Sequence, residues 1–299
     1  MNETVAKWLS NGPLVLDGGM GTQLQLIGLP VGHHPDLWNL TNPEKVGQVA
    51  AAYCAAGSDI ILTNTFGANR FLLARHDAAD KVAEVNKRGV EIAKKAAAES
   101  GRDVLVFASM GPTGVMLMMG QETPEALREA FQAQAEAMAA GGADGIVIET
   151  MSDIAEIKLA IEAAKSTGLP VAASMTFDSG KKKDRTMMGV TPEQAVTAMT
   201  EAGADIIGSN CGQGIDAFLP ICQRYRAASD LPVWMKGNAG LPQVAGEKVI
   251  YNQTPEGFAA ASKALLDEGV SFLGGCCGTT PEYIKEIRKL VDSWKENAS

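Results

Sequence analysis

The chain has 299 residues, is 46% apolar and carries a net charge of −9, with a pI near 5. That is ample material for a core, and the absence of a basic stripe argues against nucleic-acid binding. No apolar run reaches membrane-spanning length, Met1-Asn2-Glu3-Thr4-Val5 lacks the basic and apolar regions of a leader, and five cysteines, an odd number, fit a reducing cytoplasm better than a disulfide framework.

Short apolar runs alternate with longer helical patterns along the whole chain. Strands are predicted at 13–17, 59–63, 104–109, 145–149, 170–176, 205–210, 232–236 and 270–275. These runs are nearly continuous in apolar residues, so both faces should be buried, as in parallel strands covered by helices. Helix starts are marked by Asn42-Pro43-Glu44, Thr123-Pro124-Glu125, Thr191-Pro192-Glu193, Thr254-Pro255-Glu256 and Thr280-Pro281-Glu282. Each offers an N-cap oxygen, a proline suited to the first helical position and an acid that complements the helix dipole. Gln194, three residues after Thr191, adds capping-box spacing. Val46, Val49, Ala50 and Tyr53, and likewise Ile154, Ile157 and Ile161, recur at helical spacing. Gly57, Gly142, Gly168, Gly203 and Gly269 close helices before the next strand. Eight strand–helix units fit a single (β/α)₈ TIM barrel, class α/β, occupying residues 1–299 as one domain. A doubly wound open sheet ranks second, because Asp17-Gly18-Gly19-Met20-Gly21-Thr22 does not match the dinucleotide fingerprint. Residues 237–253, with Gly237, Gly240, Pro242 and Gly246, read as a long loop of the functional kind.

In a barrel the C-terminal strand ends carry the chemistry. Here they are Asp17-Gly18-Gly19, Asn64-Thr65-Phe66, Ser109-Met110, Glu149-Thr150, Thr176-Phe177-Asp178, Asn210-Cys211-Gly212, Gly237-Asn238 and Cys276-Cys277. Two adjacent cysteines serve one site only where a strand ends and bends, and Gly274, Gly275 and Gly278 permit that bend. Cys211 closes the sixth strand and Cys276-Cys277 the eighth, so three thiolates can meet at the mouth and bind a metal, most simply Zn²⁺. Buried free thiols are the plain alternative. It would prevail for a lone cysteine but not for a pair in a glycine cage with a third strand-end partner. Three ligands leave one position for an incoming thiol, which coordination deprotonates. Asp17 and Glu149 are placed to hold a substrate ammonium, and the Gly18 and Gly19 N–H groups a carboxylate. A turn cap for Asp17 and a mouth salt bridge for Glu149 are the competing roles.

Other candidates are weaker. His33-His34 reads as solvent-exposed, His76 as surface, and Cys54 and Cys222 as helix core. Lys181-Lys182-Lys183-Asp184-Arg185 reads as a solvated loop. Met116, Met118 and Met119 read first as packing filler and second as an apolar approach to the mouth.

Leu16-Asp17-Gly18-Gly19-Met20-Gly21-Thr22, Thr63-Asn64-Thr65-Phe66-Gly67-Ala68-Asn69, Gly111-Pro112-Thr113-Gly114, Glu149-Thr150, Gly208-Ser209-Asn210-Cys211-Gly212 and Gly274-Gly275-Cys276-Cys277-Gly278-Thr279 run in order across nearly the whole chain. In these stretches it resembles the homocysteine-binding domain of cobalamin-dependent methionine synthase, within the homocysteine S-methyltransferase family. The resemblance implies a (β/α)₈ barrel, zinc on Cys211, Cys276 and Cys277, and homocysteine as acceptor. It places the amino-acid end against Asp17, Gly18, Gly19 and Glu149, with Ser109 and Asn210 as further substrate-binding residues. The Asn64–Asn69 segment looks like the cobalamin-dependent branch, which implies methylcobalamin as donor on a separate corrinoid protein. A sulfonium donor such as S-methylmethionine, a different acceptor thiol, a non-catalytic homocysteine- or zinc-binding module, and an excised domain of a longer chain stay open.

Overall fold

The computed structural model describes residues 2–298 apart from Pro242, Gly246 and Glu247. Eight parallel strands form one sheet: β1 (Leu14–Val15), β2 (Ile60–Leu62), β3 (Leu105–Met110), β4 (Gly145–Met151), β5 (Val171–Met175), β6 (Ile206–Gly214), β7 (Val233–Asn238) and, after a short antiparallel hairpin of β8 (Gln243–Ala245) and β9 (Lys248–Ile250), β10 (Phe272–Gly275). Their order is β1-β10-β7-β6-β5-β4-β3-β2, and a parallel bridge between Leu16 and Ile60 joins the two ends, so the sheet closes into a (β/α)₈ barrel. The open-sheet alternative is thereby rejected. The expected long loop at 237–253 is partly strand, since β7 runs through Asn238 and the hairpin follows; Pro242 and Gly246 lie outside the described residues.

Local chemistry explains most helix boundaries. The Thr123, Thr191 and Thr254 hydroxyls accept from the N–H groups of Ala126, Gln194 and Gly257, and Thr191–Gln194 forms the full capping box. Two expected caps differ. The Asn42 amide donates to the Thr41 hydroxyl at 3.0 Å and makes no cap bond, because its ψ of 50° is not that of an N-cap. The Thr280 hydroxyl turns instead to the Glu282 carboxylate. Gly57, Gly142, Gly168, Gly203 and Gly269 all take positive φ where their helices stop.

Strand residues alternate between two cores. Val15, Ile61, Val106, Ile146, Val171, Ile207, Val233 and Leu273 face the helices. Leu16, Ile60, Leu62, Phe107, Val147, Ala172, Ile206, Trp234 and Phe272 fill the barrel. The inner set includes an aromatic stack: Trp8, from the N-terminal helix Glu3–Trp8, packs on Phe107 with ring centroids 5.5 Å apart, Phe107 on Trp234 at 5.7 Å, and Trp234 on Phe272 at 5.5 Å. Stepping two residues onward along the inward face, the side chains become polar: Ser109 follows Phe107, Glu149 follows Val147, Ser174 follows Ala172, and Lys236 follows Trp234. The barrel is therefore apolar at its foot and charged at its mouth.

Candidate metal centre and acceptor pocket

Cys211, Cys276 and Cys277 come together as expected. Their sulfur atoms lie within 4.8 Å of one another, and Cys211 Sγ is 3.7 Å from Cys277 Sγ. Tetrahedral zinc with Zn–S bonds of about 2.3 Å needs sulfurs about 3.8 Å apart, which the Cys211–Cys277 separation matches. Among the described residues, no fourth Cys, His, Asp or Glu joins the group.

Backbone geometry aims these thiols. Cys211 sits at φ +61°, where β6 bulges between Asn210 and Gly214. A left-handed conformation is rare for a residue with a side chain and is typical of functional positions. The Cys276-Cys277 corner is tied down on all sides. Cys276 N–H donates to Gly237 O at 2.7 Å, Cys277 N–H to Asn238 Oδ1 at 3.2 Å, and Gly278 N–H to Thr22 Oγ1 at 3.0 Å. Cys276 O in turn accepts from the Thr279 hydroxyl at 2.6 Å. Crowding of thiol on thiol raises Cys276 well above its ordinary value, the Cys211 contact being the largest cause, followed in the upward direction by burial. A bound divalent cation reverses that logic by favouring thiolates.

The cysteines line one wall of a cavity of about 520 Å³. Gly18, Gly19, Ser109, Glu149 and Lys236 line it too, and His34, Asp36, Phe66 and Leu72 form the wall further out. Glu149 is buried, which pushes its carboxyl up, while Lys236 opposes the shift. Its Oε1 accepts from the Ser109 hydroxyl at 2.5 Å. Asn210 does not line the cavity. Its Oδ1 accepts from Thr150 N–H at 2.8 Å and the Ser174 hydroxyl at 2.6 Å, and its Nδ2 lies 3.4 Å from Glu149 Oε2, so it braces Glu149 from behind.

Asp17 is also set back. Its Oδ1 accepts from Lys236 Nζ at 2.5 Å and its Oδ2 from Leu62 N–H at 2.7 Å. Burial pulls the Lys236 ammonium down, but the Asp17 and Glu149 carboxylates outweigh it and hold its pKa above the usual lysine value. Gly19 N–H is already donated to Thr279 O at 3.1 Å, whereas Gly18 N–H makes no hydrogen bond among the described residues. A side chain would not fit at either glycine: a Cβ on Gly18 would lie 2.8 Å from the Tyr53 hydroxyl, and one on Gly19 would lie 2.7 Å from Cys276 O.

Lys236 was missed in the sequence, although a lysine ending the apolar run Pro232-Val233-Trp234-Met235 was a usable signal. His34 needs correction. His33 is exposed, but the His34 side chain is only 8% exposed, because the turn Pro35–Leu37 is held against the segment after β2: Pro35 O accepts from Asn64 Nδ2 at 2.9 Å and the Asp36 carboxylate accepts Gly67 N–H at 2.7 Å. His76 is exposed, as read, and packs edge-on against His34. Cys54 and Cys222 are core residues, and Lys181, Lys182 and Lys183 are solvated. Met116, Met118 and Met119 are exposed on the loop after β3, so they are not filler; Met116 lines a second cavity that shares Thr150 with the first.

No helix of the described residues is long and apolar enough to cross a membrane. Comparison with known proteins gives a consistent assignment. The chain is 32% identical over 303 residues to methionine synthase of Mycobacterium tuberculosis and 32% identical over 294 residues to that of Mycobacterium leprae. These matches take in 96% and 93% of the chain, which spans about a quarter of the length of each relative. The metallated form of the homocysteine methyltransferase MmuM from Escherichia coli superposes with a TM-score of 0.77 at 23% identity, over 95% of this chain and 99% of that one, which establishes likeness of fold. The family model described as homocysteine S-methyltransferase matches residues 14–291, and with a match of that extent the chain belongs to this family.

Proposed function

We propose that the protein is a zinc-dependent methyltransferase that moves a methyl group onto the thiol of homocysteine to give methionine, with methylcobalamin on a separate corrinoid protein as donor. The observation that carries this reading is the trio of convergent thiols, with no fourth Cys, His, Asp or Glu beside them among the described residues, on the wall of a cavity that also holds charged groups. Cys211, Cys276 and Cys277 would hold the metal. Zinc in that site supplies a Lewis-acidic position at which a thiol is deprotonated near neutral pH.

The chain's own residues do the rest. Glu149 takes the ammonium of the acceptor, held in place by Ser109 and, from behind, by Asn210. Gly18 and Gly19 keep the wall free of side chains, so the amino-acid end can lie close to the backbone. Asp17 belongs to the same charged group through its contact with Lys236. In the transfer, the acceptor thiol releases its proton to solvent, a new S–CH₃ bond forms, and the bond between methyl and donor breaks with its electron pair left on the donor. The exposed Phe66, Met116, Met118 and Met119 suit the approach of a large donor to the mouth.

The test is to incubate zinc-loaded protein with homocysteine and, separately, a methylated corrinoid protein, free methylcobalamin or S-methylmethionine, and to measure methionine. Methionine from the corrinoid donor is expected. Turnover with S-methylmethionine alone would reject the donor, and homocysteine binding without turnover by any donor would leave a binding module.

A further inference from the structure

Lys236 has no role in the reading above, yet it is the one Lys or Arg that lines the cavity among the described residues. It is 1% exposed, and an ammonium buried there would be costly without a partner. Asp17 is that partner, at 2.5 Å. Both Asp17 oxygens are engaged, one by Lys236 and the other by Leu62 N–H, and Asp17 itself does not line the cavity. An ammonium has three N–H donors, and Asp17 is the only hydrogen-bond acceptor of Nζ among the described residues. Replacing such a pair with apolar groups is often neutral or stabilising, so stability is a poor reason for its presence.

The charges fronting the cavity on this side are therefore one anion, Glu149, and one cation, Lys236, with three thiols beside them. That arrangement matches a zwitterion carrying a sulfur. Of the two glycine N–H groups expected to receive a carboxylate, that of Gly19 is already committed to Thr279 O, which leaves only that of Gly18.

We infer that Lys236 is a specificity-determining residue: its ammonium receives the carboxylate of the acceptor amino acid while Glu149 receives the ammonium, and Asp17 is the fixed counter-ion of Lys236. This rests on the function proposed above and deepens it. It selects thiols that carry a carboxylate as well as an amine.

The test compares homocysteine with 3-aminopropane-1-thiol, the same molecule without its carboxylate. Zinc-loaded wild type, Lys236→Met, Lys236→Arg and the double variant Asp17→Asn/Lys236→Met are studied by titration calorimetry and by turnover. The double variant removes both charges, so it avoids stranding a buried carboxylate if Lys236→Met alone fails to fold. Loss of a charge-assisted hydrogen bond predicts that the preference for homocysteine falls about 10- to 100-fold in the double variant. The fall should come through weaker homocysteine binding and a higher KM, with kcat less affected and binding of 3-aminopropane-1-thiol little changed. Lys236→Arg should recover part of the preference. An unchanged preference, or equal weakening of both thiols, overturns the inference while wild type still binds homocysteine. Wild type that binds neither thiol overturns the function reading and this inference with it.

Discussion

Gly19→Ala is a change that leaves every proposed zinc ligand in place and should still weaken zinc binding. The φ of Gly19 is −77°, which alanine adopts freely, so backbone strain is not the issue. The added methyl would lie 2.7 Å from Cys276 O and 3.0 Å from Thr22 Oγ1. Ordinary contact begins near 3.4 Å, so the Cys276 peptide must retreat by about 0.7 Å. It cannot do so freely, because Cys276 N–H is held by Gly237 O and Cys276 O by Thr279. Zinc ligand distances tolerate about 0.2 Å. Overpacking of this kind costs about 1–3 kcal/mol. If most of that strain is relieved by moving Cys276 off its position, zinc binds about 10- to 100-fold more weakly. Competition with a chromophoric chelator reads this directly. Gly21→Ala is the control: nothing lies within 4 Å of its added methyl, and it sits in the helix Met20–Leu26. That variant should keep its zinc and gain roughly 0.5–1 kcal/mol of stability. Wild-type zinc affinity in Gly19→Ala, in a protein that melts like wild type, would refute the argument.

Two further outcomes follow from the geometry. Cys211→Ala, Cys276→Ala and Cys277→Ala should each lower zinc content, by elemental analysis, and abolish methyl transfer to homocysteine; full occupancy and activity in all three would refute the ligand set. Asp36 is fully buried, and burial raises its carboxyl to about 7, against the opposing pull of Gly67 N–H. Because the folded value exceeds the unfolded one, the associated stability is complete below about pH 4 and disappears as pH rises through 7. Asp36→Asn keeps an acceptor for Gly67 and carries no charge. It should therefore gain on wild type between pH 5 and pH 8, by up to ~3 kcal/mol, in denaturant titrations. A pH-independent difference would refute the assignment.

The fold was legible because parallel strands buried on both faces leave uninterrupted apolar runs, and Thr123, Thr191 and Thr254 announce the helices that follow. The cysteines were legible because strand ends in a barrel must converge, whatever their distance along the chain. What stayed hidden depended on side-chain reach across the barrel. That Asp17 is occupied by Lys236, 219 residues away, is a property of the inward row containing Trp234 and not of either local stretch. That Asn210 braces Glu149, while the bulge after it turns the Cys211 thiol onto the cavity wall, is set by contacts between strands and not by the local stretch. His34 was misread because no local pattern signals a loop held against Asn64 and Gly67, beyond the end of β2. Asn42 was misread because a capping residue type does not ensure capping dihedrals.

The aromatic stack of Trp8, Phe107, Trp234 and Phe272 gives the barrel a stopper at its foot. Under the proposed function, the chamber would be a blind well: an acceptor lodged beside the cysteines would lie beneath a donor at the mouth, so it would have to arrive first, and its methylated product would leave only after the donor had withdrawn.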